Sequence, residues 1–189
     1  MKVQRSFSVN IPNVLSILRV LLTPLFAIFL IKHLRGSALL VFAIAALSDC
    51  LDGLMARVLR QSTTLGSYLD PAADKLLLLT AFVTLAIQEL IPSWLAVIVI
   101  TRDILILVGV ALFTIIGREF QPRPSMLSKI TTVAQIASVI SVLAGDHVQK
   151  ILHMPVQEPL FWFAAAMTMI SGFQYIYRGL NILQEEPQS

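Results

Sequence analysis

Cysteine is almost missing: Cys50 stands alone among 189 residues, which excludes a disulfide within the chain. Charge is scarce too. Asp, Glu, Lys and Arg make up 13% of the sequence, against roughly 25% in a soluble domain. No basic run and no interleaving of aromatic with basic residues occurs, which argues against nucleic acid as a partner. No internal repeat of about 20–50 residues and no low-complexity tract is visible, which excludes a solenoid.

Hydrocarbon is what the chain has in quantity. Hydrophobic residues account for 57% of it, and the mean hydropathy is +0.82. Six apolar stretches cover residues 13–33, 38–59, 71–91, 93–117, 127–145 and 160–181. Each is close to the ~20 residues that a membrane-crossing helix needs. The connections between them are short, leaving little room for a soluble domain. The expectation is one all-α integral membrane domain over residues 1–189, with six transmembrane helices and an N-terminal segment, Met1 to Asn10, on the membrane surface.

The first apolar stretch is too long for a cleaved signal peptide. Lys32-His33-Leu34-Arg35 follows it in place of small residues, so it reads as a retained helix. With the N-terminus inside, the cytoplasmic segments hold Lys2, Arg5, Arg57, Arg60, Arg118, Arg123, Lys129 and Arg178. The opposite side holds Lys32, Arg35 and Lys150. Eight basic residues against three favour both termini in the cytoplasm. Punctuation fits the same scheme: Gly36-Ser37, Pro92, the segment Gly117 to Ser125, Gly145-Asp146, and Pro155 with Pro159 fall between stretches or at their ends. Pro24, inside the first stretch, reads as a packing kink.

Polar residues concentrate between Asp49 and Asp74. The string there is D-x-x-D-G-x-x-A-R, eight residues, then G-x-x-x-D-x-x-x-D. A carboxylate at membrane depth costs about 2.5–3.5 kcal/mol on insertion scales, so four in one region need an offsetting cation. Asp49 and Asp52 are three apart and share a helix face; Asp70 and Asp74 are four apart and share one on the next helix. A turn around Arg60 to Thr64 brings the faces together, giving a pocket of nominal charge −4. Hard divalent cations with oxygen ligands, Mg²⁺ or Mn²⁺, complement such a pocket, and two would balance it. Gly53 and Ala56 open a groove, Arg57 can grip a phosphate with two hydrogen bonds, and Gly66 keeps the start of the next helix clear. The composite is a site for a metal-bound diphosphate. A cation transporter is the rival of another class, but it predicts acids at the bilayer midplane and repeated broken helices. Here the acids gather at one end, beside Arg57.

The complete string resembles the signature of the CDP-alcohol phosphotransferases. Asp49, Asp52, Gly53, Ala56, Arg57, Gly66, Asp70 and Asp74 match its every position, and six helices with a surface segment match the size of bacterial members. The resemblance implies an enzyme of a bacterial inner membrane that splits the diphosphate of a CDP-linked lipid, passes the lipid phosphate to an alcohol and releases CMP. It also implies that Asp49, Asp52 and Asp70 hold a binuclear metal centre with Asp74 as a partial ligand, and that Asp74 is the general base. Asp49, Asp52, Gly53, Ala56, Arg57 and Gly66 then border the CDP moiety of CDP-diacylglycerol. Homodimers are common in the family.

The acceptor is read from other residues. Asn10-Ile11-Pro12-Asn13 with Leu15, Ser16 and Arg19, and the run Leu69 to Leu76, resemble the anionic-phospholipid synthases of this family. Some of those use glycerol 3-phosphate and others, the cardiolipin synthases, use phosphatidylglycerol. Either acceptor carries a phosphate, and Arg102, Arg118 and Lys129, with Arg123 beside them, are the candidates to bind it. Arg102-Asp103 and Ser128-Lys129 look more like the cardiolipin synthases; glycerol 3-phosphate is the commoner bacterial acceptor and is the reading taken. His33, His147 and His153 read as solvated loop residues, Trp94 and Trp162 as interface anchors, and Glu185-Glu186 as a solvated tail.

Overall fold

The computed structural model describes residues 11–59, 66–116, 126–145 and 156–184, with side chains over 17–48, 75–113, 115–116, 126–145 and 156–181. Six helices occupy them: α1 (Ile11–Ile31), α2 (Arg35–Leu59), α3 (Gly66–Ile87), α4 (Ser93–Ile115), α5 (Met126–Leu143) and α6 (Gln157–Gln184). No strand occurs among the described residues. The chain divides into two compact units, Met1–Thr84 and Leu85–Ser189.

In the first unit, α1 and α2 form an antiparallel pair. The turn between them is a helix C-terminal motif closed by His33, whose φ of 58° is left-handed. His33 donates to the Leu30 carbonyl at 2.9 Å and Leu34 to the Phe29 carbonyl at 2.9 Å, satisfying two end carbonyls. The same motif ends α3, where Glu89 has φ 57° and Leu90 donates to the Leu85 carbonyl at 3.0 Å. Pro24 lies inside α1, and the Thr23 hydroxyl just before it donates to the Arg19 carbonyl at 2.9 Å.

In the second unit, α6 packs against both α4 and α5. Trp94 stacks on Trp162 with ring centroids 4.7 Å apart, and farther along the same two helices Arg102 reaches Ser171. Both contacts advance together, so α4 and α6 run parallel. α5 runs against them: Gln135 reaches Thr168, while Gln157 at the start of α6 reaches the carbonyl of Ser141 near the end of α5. The α5–α6 seam is made of small and polar side chains. Ala134, Ser138, Ala164, Ala165, Thr168 and Ser171 are all buried, and Thr131 donates to the Met167 carbonyl at 3.0 Å. Small residues allow close helix approach, and hydrogen bonds between helices are the adhesive when the surroundings are hydrocarbon.

The core is mostly apolar, yet large apolar side chains also cover the exterior while several polar ones are buried. Ile17, Leu21, Ile31, Leu40, Leu47, Val97, Leu107, Val133, Phe173 and Leu180 are exposed, while Arg19, Arg102, Asp103, Gln135 and Ser138 are buried. An apolar exterior of this kind is stable only against lipid tails. Ser93–Phe113 and Met126–Leu143 are by themselves long and apolar enough to cross a bilayer. The molecule is an all-helical membrane protein.

Candidate active site

All eight motif residues lie on helical backbone: Asp49, Asp52, Gly53, Ala56 and Arg57 in α2, and Gly66, Asp70 and Asp74 in α3. The acids of α2 stand within its last eleven residues and those of α3 within its first nine, at the two helix ends that residues 60–65 connect. At about 1.5 Å of rise per residue, each aspartate is within about 15 Å of that connection along its helix axis. The side chains of residues 49–74 and the connection itself lie outside the described residues. As a donor set, four carboxylates in two helical pairs are hard oxygen ligands and fit Mg²⁺ or Mn²⁺; none of the motif's eight fixed positions is a cysteine or histidine, which would select softer metals.

The basic candidates are described more fully. Arg102 is 4% exposed on α4 and its guanidinium is engaged on several sides. NH1 donates to Asp103 Oδ1 at 2.8 Å; NH2 donates to Ser128 Oγ and to Ser171 Oγ, each at 2.9 Å. The Tyr175 ring lies 5.6 Å from the guanidinium carbon. Gly172 makes room for this: a Cβ there would stand 3.6 Å from Arg102 Cγ. Arg102 therefore joins three helices, through Ser128 of α5 and Ser171 of α6. The pairing with Asp103 commits NH1 to a carboxylate. Lys129, by contrast, is exposed on α5 next to Ser128. Arg118 and Arg123 lie outside the described residues, as do His147, His153 and Glu185-Glu186.

Ser128, Ser171 and Tyr175 are the participants that sequence reasoning did not single out. Ser128 was visible beside Lys129, but nothing linked Ser171 to Arg102, because 69 positions separate them. Trp94 and Trp162 stand at helix starts, partly exposed, as anchors at a membrane interface do.

Residues 9–170 match the model of the CDP-alcohol phosphatidyltransferase family. The chain belongs to that family, and the protein is an enzyme of the phosphatidyltransferase class. It is 31% identical, over 93% of its length and 97% of the relative's, to the CDP-diacylglycerol–glycerol-3-phosphate 3-phosphatidyltransferase of Bacillus subtilis. It is 33% identical to the enzyme of the same name from Shigella flexneri, over 88% and 93% of the two chains. It is also 33% identical, over 93% of its length, to the CMP-forming cardiolipin synthase of Homo sapiens, spanning 63% of that protein.

Proposed function

We propose that the protein transfers the phosphatidyl group of CDP-diacylglycerol to the hydroxyl of glycerol 3-phosphate and releases CMP, a step of anionic phospholipid synthesis. The observation that carries this reading is end-to-end similarity to the Bacillus subtilis and Shigella flexneri relatives, each covered by more than nine-tenths. The complete aspartate string on helical backbone supports the chemistry.

In this reading residues 1–189 form one membrane domain with six spans and a surface segment before Asn10. Both termini and the aspartates face the cytoplasm, in a bacterial inner membrane, and two copies can associate. Asp49, Asp52, Asp70 and Asp74 would hold two divalent cations, which when bound neutralise the diphosphate and the departing CMP. Gly53, Ala56 and Gly66 leave space beside these carboxylates for the cytidine, and Arg57 hydrogen-bonds a phosphate of the CDP group. Asp74 takes the proton from the acceptor hydroxyl. That oxygen attacks the phosphorus bearing diacylglycerol, the bond from this phosphorus to the bridging oxygen breaks, and the electron pair leaves with CMP. The diacyl chains stay in lipid throughout. The acceptor's own phosphate is met by Arg118 and Lys129, and by Arg102 once its bond to Ser128 is exchanged for one to the phosphate.

A second acceptor has specific support. The human cardiolipin synthase is as similar in identity as the Shigella flexneri relative, and Arg102-Asp103 and Ser128-Lys129 suit that group. The deciding experiment offers purified protein in detergent labelled CDP-diacylglycerol and Mn²⁺, with glycerol 3-phosphate and phosphatidylglycerol supplied separately. Phosphatidylglycerophosphate as product sustains the proposal. Cardiolipin moves the enzyme to the second acceptor, and no CMP release with either would sink both readings.

A further inference from the structure

The partners of Arg102 differ in how easily each can be given up. Of the three oxygens that accept from its guanidinium, those of Asp103 and Ser171 are buried, while Ser128 is half-buried. The helix ends explain the difference. Arg102, Ser128 and Ser171 stand at one level, and α5 begins two residues before Ser128. α4 and α6 each run on for thirteen residues past that level, about 20 Å. The start of α5 is therefore set back from the ends of the two helices beside it. A helix start carries N–H groups without an intrahelical partner and a partial positive charge, here reinforced by exposed Lys129. Arg102 adds an independent feature: its Nε is buried and has no hydrogen-bond partner among the described residues. Nε and NH2 share one edge of the guanidinium plane, and such an edge can take two oxygens of one phosphate in parallel hydrogen bonds.

We propose that Ser128 is a placeholder for the acceptor's phosphate: its hydroxyl occupies NH2 of Arg102 while the subsite is empty, and by competing there it sets acceptor affinity. This rests on the reading above, in which Arg102 meets that phosphate. Between turnovers the hydroxyl keeps a buried cation hydrogen-bonded. An arriving phosphate ester takes NH2 and Nε, and Ser128 turns away about its Cα–Cβ bond. Asp103, Ser171 and Tyr175 meanwhile hold the guanidinium where it is. The exchange favours an anion, whose hydrogen bonds to a guanidinium are roughly twice as strong as those between neutral groups. An uncharged alcohol gains nothing by it. Ser128 is thus a positioning residue that acts through Arg102, and it makes the acceptor's phosphate a condition of binding. The ester is a monoester in glycerol 3-phosphate and a diester in phosphatidylglycerol.

The test measures CMP release by the full chain in detergent with CDP-diacylglycerol and Mn²⁺. Glycerol 3-phosphate and phosphatidylglycerol are titrated separately for the wild type, Ser128→Ala, Ser128→Thr and Ser171→Ala, and the acceptor that is used identifies the ester. The expected result is an acceptor KM about three- to tenfold lower in Ser128→Ala, with kcat changed far less. Inorganic phosphate should compete with the acceptor at a correspondingly lower concentration. Ser128→Thr keeps the hydroxyl and stays near the wild type, and Ser171→Ala does not share the lower KM. An unchanged KM in Ser128→Ala would overturn the proposal, and a raised one would make Ser128 a ligand of the phosphate instead of its competitor. An equal fall in both alanine variants would also overturn it, since any loosening of Arg102 would then suffice. A wild type that releases no CMP with either acceptor would show that the functional reading itself had failed, and this proposal with it.

Discussion

Removing the Asp103 carboxylate isolates the energetics of the buried cluster on α4. The Arg102 and Asp103 side chains are 5% and 8% exposed, and their atoms meet at 2.8 Å. In Asp103→Ala the guanidinium keeps two serine hydroxyls and the face of Tyr175, all uncharged, so a buried cation is left without its counter-ion. Breaking a buried pair from one side costs about 3–5 kcal/mol. Ser171→Ala removes one bond to the charged group, for about 1.5–3 kcal/mol, and Ser128→Ala less, because that serine is only partly buried. At roughly 2–4 °C per kcal/mol for a chain of this size, Asp103→Ala should lower the unfolding midpoint by on the order of 10 °C. Purified protein in detergent, followed by circular dichroism on heating, gives the ranking Asp103 > Ser171 > Ser128. Replacing the pair together, Arg102→Met with Asp103→Leu, should recover most of the loss. A single Asp103→Ala within about 0.5 kcal/mol of wild type would refute the reasoning, since water would then be reaching the guanidinium.

Asp74→Asn should reduce CMP release by about 10²–10⁴-fold while CDP-lipid binding survives; near-normal turnover in folded protein would remove Asp74 from the general-base role. Asp49→Asn or Asp70→Asn should raise the Mn²⁺ concentration needed for half-maximal CMP release, and an unchanged requirement would mean that the ligands lie elsewhere. His33→Gly should stabilise the protein by up to about 1 kcal/mol, because His33 holds φ 58° at an exposed turn where glycine fits without strain. A lower midpoint for that variant would show that the His33 side chain contributes more than its backbone costs.

Helix existence was legible because hydrocarbon length is a sequence property, and the greater part of each of the six apolar stretches lies on one helix. Their ends were less so. α3 begins at Gly66, five residues before its apolar stretch opens, because the polar aspartate string continues the helix without any hydropathy to reveal it. It ends at Ile87, short of residue 91, because Glu89 adopts a left-handed turn that favours glycine and that no glycine announced. The spacing of Asp49, Asp52, Asp70 and Asp74 suggested two helical pairs, and helical backbone is what the four positions occupy. Arg102's surroundings were half readable. Asp103 is its neighbour in sequence, but Ser128 and Ser171 join it only when three helices are folded together.

Arg19 and Arg102 follow from one physical rule. In water a protein hides its leucines and displays its charges; in lipid the preference reverses, and among the described residues each unit encloses one arginine beneath exposed Leu, Ile and Val. Burying a guanidinium is tolerable only when oxygen atoms of other residues surround it, so its place is fixed by polar partners rather than by apolar packing. Around Arg102 those partners are Asp103, Ser128 and Ser171, from three helices, and a shift of any one helix would strip a bond from a buried charge. A charge held this way therefore specifies helix register as well as electrostatic potential. Hydrocarbon contacts alone cannot do so, since one leucine face slides past another at little cost in a solvent that is itself hydrocarbon.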